Sequence, residues 1–66
     1  MEIRLNGKAR AVPDGISVLQ LLTELSLHSQ QVAVMVNEEI VKRDRHAEAR
    51  LQPNDRVEVL TIMAGG

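Results

Sequence analysis

Few groups in this 66-residue chain could do covalent chemistry. There is no cysteine, which excludes a side-chain thiol nucleophile, a disulfide and a thiolate metal site together. The two histidines, His28 and His46, stand in polar stretches, and both are expected at the surface. A catalytic or metal site needs several converging groups, so neither histidine is assigned one and no metal is expected. What remains is the terminal pair Gly65-Gly66. With glycine near 7% of residues, chance places two glycines at a terminus in roughly one chain in two hundred. Glycine has no Cβ, so a Gly-Gly tail can pass through a narrow channel and lie against another protein's groups. The α-carboxylate of Gly66 is ionised at neutral pH and is a poor electrophile. A partner enzyme would have to convert it to an acyl-adenylate with ATP, after which a sulfur donor displaces AMP and leaves a terminal thiocarboxylate. On this reading Gly66 carries the chemistry and Gly65 provides access. ATP is used by the partner, no cofactor is bound by the chain itself, and the chain is a co-substrate rather than an enzyme.

The composition narrows the partners. A net charge of −1 argues against general nucleic-acid binding, and the absence of Phe, Tyr and Trp removes the base-stacking platform used for single strands. The longest apolar run, Val32–Val36, is far too short to cross a bilayer. A strand-like pattern begins at Met1, so no secretory leader is expected and the cytoplasm is the default compartment. With 44% hydrophobic and 26% charged residues, the chain reads as one small globular domain over residues 1–66. A domain of this size has a thin core and no room for a deep catalytic cleft.

The elements that must position the tail follow from periodicity. Met1, Ile3 and Leu5 alternate with Glu2, Arg4 and Asn6, the period of a half-buried strand. Asn6-Gly7 is a hairpin signal, and residues 8–12 form the return strand, ended by Pro13-Asp14-Gly15. Ser17 and Gln20 make a capping box, with Ile16 and Leu21 as the flanking hydrophobic staple. Val18, Leu21, Leu22 and Leu25 then form one apolar helical stripe. Val32–Val36 reads as a buried strand, Asn37-Glu38-Glu39 as a turn and Ile40-Val41 as a short strand. Residues 42–50 are polar and irregular, with Leu51 as their anchor, and Gln52-Pro53-Asn54-Asp55 turns into a last strand over 56–63.

One helix can cover only one face of a four- to five-stranded mixed sheet. The first and last strands can pair in parallel at its centre, which gives an α+β fold of the β-grasp, or ubiquitin-like, type. Val57 and Val59, with Val34 and Val36, are then expected to face the helix. Leu60, Ile62 and Met35 point to the uncovered face and make a candidate docking patch. Arg43, in the mixed-sign run Lys42-Arg43-Asp44-Arg45, is either a further docking residue or part of a solvated loop.

The residues Val34-Met35-Val36-Asn37-Glu38-Glu39-Ile40-Val41-Lys42-Arg43, then Asn54-Asp55-Arg56-Val57 and the final Ala64-Gly65-Gly66, resemble the ThiS family, the sulfur carriers of thiamine biosynthesis. The resemblance covers most of the chain and implies a β-grasp fold with adenylation and thiocarboxylation at Gly66. It implies as partners a ubiquitin-activating-like adenylyltransferase of the ThiF type, a sulfur donor protein, and a thiazole synthase of the ThiG type. The small subunit of molybdopterin synthase, or another β-grasp sulfur carrier, shares the tail and its activation but has a different acceptor. A plain interaction module with an accidental Gly-Gly is the alternative of a different class.

Overall fold

The alternation at the start of the chain becomes β1 (Glu2–Leu5), with Ile3 buried between exposed Glu2 and Arg4. Asn6 and Gly7 take φ values of 50° and 84°. Positive φ at both central residues matches the twist of the flanking strands, so β2 (Lys8–Ala11) returns antiparallel with Lys8 opposite Leu5. The computed structural model describes residues 1–62.

Helix α1 (Val18–Glu24) starts where the capping box places it. Ser17 Oγ accepts from the Gln20 amide at 3.0 Å, and Gln20 Oε1 accepts from the Ser17 amide at 3.0 Å. Val18, Leu21 and Leu22 are buried, and Leu25 packs partly against the same core. The helix stops after two turns although no glycine follows it. Ser26 takes a left-handed φ of 60°, its amide donates to Thr23 O at 3.0 Å, and the Leu27 amide donates to Leu22 O at 2.8 Å. These two bonds make a Schellman closure that uses serine where glycine is usual.

A 3-10 turn (Ser29–Gln31) leads into β3 (Val32–Val36). The following turn has two central residues rather than three, Asn37 and Glu38, with φ of 52° and 73°. Glu39 therefore belongs to β4 (Glu39–Val41), where it pairs with Val36. After a second 3-10 turn (Arg43–Arg45) the chain is anchored by buried Leu51. It then turns through Pro53 and Asn54, the latter at φ 69°, with the Asp55 amide bonded to Gln52 O at 3.1 Å. The last strand, β5, spans Arg56–Thr61; of its expected extension to Met63, Ile62 lies beyond the strand end and Met63 falls outside the described residues.

The strands form one sheet in the order β2-β1-β5-β3-β4, with β1 and β5 parallel and the other neighbours antiparallel. This is the β-grasp arrangement. The helix supplies Leu21 and Leu22 to a core that takes Ile3, Val34, Val57 and Val59 from the inner strands. Val36 packs at the margin of that core and is only partly buried, because it lies next to the turn.

One expectation is overturned. His46 is not a surface residue: it is 2% exposed, whereas His28 is exposed as expected. Nε2 of His46 lies 3.1 Å from Val41 O, and Nδ1 lies 2.8 Å from Ser29 Oγ. The carbonyl can only accept, so Nε2 carries the hydrogen, and the serine hydroxyl serves the other nitrogen. The ring thus ties the irregular segment to β4 and to the turn before β3, a structural role in which both nitrogens are satisfied. Its charged sequence neighbours, Arg45 and Glu48, bond to each other at 2.8 Å in solvent and conceal the one inward-facing side chain between them.

Candidate functional site

Gly65 and Gly66 lie outside the described residues, so the site is described by what leads to it. β5 is the central strand, and its two edges are gripped differently. On the β3 side the antiparallel ladder runs from Val36 opposite Val57 to Val32 opposite Thr61. It is continued by the Ile62 amide, which donates to Gln31 O at 2.9 Å. The main chain is therefore held by backbone pairing to within four residues of Gly66.

On the β1 side the parallel ladder is short, because β1 turns away after Leu5. The Asn6 amide donates to Val57 O at 2.9 Å, and beyond that point no main chain of β1 is left. The Asn6 side chain takes over. Its Oδ1 accepts from the Val59 amide at 2.9 Å, and its Nδ2 donates to Val59 O at 3.3 Å. One primary amide thus stands in for a peptide unit of the missing strand. The other turn asparagine works at the opposite end of β5. Oδ1 of Asn37 accepts from the Arg56 amide at 3.0 Å, and its Nδ2 donates to Asp55 Oδ1 at 3.0 Å.

Three residues proposed for docking share a face. Leu60 pairs with Ala33, Met35 lies two residues further along β3, and Ile62 continues the parity of Leu60. Leu60 and Ile62 are 55% and 56% exposed, and Met35 is half-buried. Sequence reasoning missed Ile40, which pairs with Met35 across the β3–β4 hairpin and is 72% exposed, the highest value among the large apolar side chains described. The two-residue turn was the signal, because it fixes Ile40 opposite Met35. Arg43 is exposed, in the turn beyond the end of β4 and outside these pairs. The open face is divided: Leu60 and Ile62 are at the end of β5, Met35 and Ile40 lie in register with Glu58 at its middle, and Arg4 and Arg56 sit side by side at its start.

Among the described residues, no three His, Asp or Glu side chains are grouped so as to hold a metal ion, and no helix is long and apolar enough to cross a membrane. The described residues thus carry exposed apolar side chains on the open face of the sheet, two of them at the end of its central strand. A model of the ThiS family matches residues 3–66, the terminal glycines included. The chain belongs to the ThiS family. Over 66 residues it is 30% identical to the sulfur carrier protein ThiS of Escherichia coli, with both chains covered in full. A crystal structure of a thiamine biosynthesis protein (ThiS) from Geobacter metallireducens matches this ThiS-family chain with a TM-score of 0.85 and 30% identity over the whole of both chains. The chain is also 33% identical over 66 residues to the thiazole synthase of Paramagnetospirillum magneticum. It spans about a fifth of the length of that protein, as it does of the thiazole synthase of Magnetococcus marinus.

Proposed function

We propose that this ThiS-family chain is a sulfur carrier in thiamine biosynthesis, delivering sulfur for thiazole formation from a thiocarboxylate at Gly66. The observation that carries the reading is the family match running through to residue 66, past a central strand that ends at Thr61. With no cysteine in the sequence, the main-chain carboxylate is the group available to bear sulfur. In the first step a Gly66 carboxylate oxygen attacks the α-phosphorus of ATP in a ThiF-type partner, forming an acyl-adenylate and releasing pyrophosphate. In the second, sulfur supplied by a donor protein at the hydrosulfide level attacks the acyl carbon, AMP leaves with the electron pair of the broken C–O bond, and loss of the S–H proton leaves the thiocarboxylate. A persulfide on the donor would instead give an acyl disulfide, whose S–S bond a thiol reductant must cleave. The thiocarboxylate then passes its sulfur to a ThiG-type thiazole synthase. Likeness to proteins named thiazole synthase favours this acceptor over a molybdopterin precursor.

The chain supplies position rather than catalysis. Leu60, Ile62, Met35 and Ile40 form an apolar surface on which a partner can seat itself, with Arg43 as a polar contact at its edge. Gly65 lets the partner's walls close on the main chain without meeting a side chain. The setting is the cytoplasm. Intact mass spectrometry after co-expression with an adenylating enzyme and a sulfur source tests the proposal. The expected product is heavier by the exchange of one oxygen for sulfur, located at Gly66 by fragmentation. Absence of that product from the wild-type chain, or its persistence after deletion of Gly65 and Gly66, would refute the assignment.

A further inference from the structure

The two turn asparagines look alike in sequence, each at positive φ before the second residue of a hairpin turn. They hold different parts of β5. Asn37 fastens the start of the strand at Arg56, far from the tail. Asn6 fastens Val59, the residue immediately before Leu60, on an edge where β1 no longer supplies any main chain. Without the Asn6 side chain, the last grip on that edge would fall back two residues, to the bond between the Asn6 amide and Val57 O. The stretch then held on its β3 edge alone is the one carrying Leu60 and Ile62 and leading to the tail.

Resting on the carrier reading above, we infer that Asn6 is a positioning residue for tail transfer: its side-chain amide fixes the end of β5, so that docking patch and tail root enter the partner in one defined orientation. A strand end that frays twists about its axis and scatters its alternating side chains between the two faces. The tail then starts from a spread of positions, and its effective concentration at the partner's reacting centre falls. Neither hydrogen bond touches the reacting atoms, so the chemical step is left alone and the encounter is what suffers.

Glycine at position 6 isolates the effect, because it accepts the positive φ of the turn while deleting only the side-chain amide. Asn37→Gly is the matched control for the same kind of loss at the other end of the strand. With the full chain and the adenylating enzyme of the same organism, adenylation is followed by pyrophosphate release as carrier concentration is varied. Asn6→Gly is expected to raise the KM for the carrier about threefold to tenfold with kcat nearly unchanged. Amide exchange at Val59 should speed up by roughly tenfold in the same variant. Asn37→Gly is expected to leave the KM within about twofold of wild type. A wild-type KM in Asn6→Gly, or an equal rise in Asn37→Gly, would overturn the assignment while leaving the carrier reading intact. A wild-type chain that releases no pyrophosphate overturns both.

Discussion

The two sides of β5 carry similar residues to opposite ends. Val57 and Val59 point beneath the helix and are buried, whereas Leu60 and Ile62 point the other way and are more than half exposed. Nothing in their chemistry distinguishes them; the two-residue period of a strand and the presence of one helix do. A single strand can therefore build the core with one set of aliphatic side chains and leave the other set exposed. Burial of apolar surface stabilises the domain on the first side, and apolar surface is left exposed to solvent on the second.

That contrast can be broken most forcefully from the covered side. Leu22→Ala, in the helix that caps the buried set, removes a fully buried side chain, and is expected to cost about 2–5 kcal/mol. In a domain of this length the melting temperature should fall by more than about 10 °C, read by circular dichroism. A smaller fall would mean that the helix is not the main cover of the sheet. The double variant Leu60→Ser, Ile62→Ser should behave inversely, with stability within about 0.5 kcal/mol of wild type, as expected for exposed positions. Its KM in adenylation should rise on the order of tenfold, as for the loss of a central apolar anchor. Equal loss of stability from both variants would erase the distinction between the faces. The smallest effect is expected from Ile40→Ser, at the outer strand: an unchanged melting temperature and about a twofold rise in KM, the behaviour of a rim residue. A rise as large as that of the double variant would move the centre of the docking surface from β5 to β4.

Most of the frame was legible because local signals and the global pattern agree. Asn6-Gly7, the Ser17–Gln20 box and the alternation around Val57 each prescribe backbone geometry that the sheet then uses. The stop of the helix was not legible, since Ser26 adopts the left-handed cap without being glycine. The burial of His46 was hidden for a related reason: partners 17 residues upstream and five residues upstream decide it, and sequence neighbours do not reveal them. At the candidate site the apolar parity of Leu60, Ile62 and Met35 could be read directly. Ile40 required the register of the hairpin, and the grip of Asn6 on Val59 joins residues 53 apart in the chain. A turn asparagine announces its backbone conformation but not what its amide will reach.

The order of strands has a consequence for synthesis. Among the described strands, β5 alone pairs with both the β1–β2 and the β3–β4 hairpin, and it follows them in the chain. Two unjoined hairpins are at best marginally stable in water. A nascent chain therefore cannot close its sheet until β5 has emerged, and products terminated before β5 lack the strand that orders the open face.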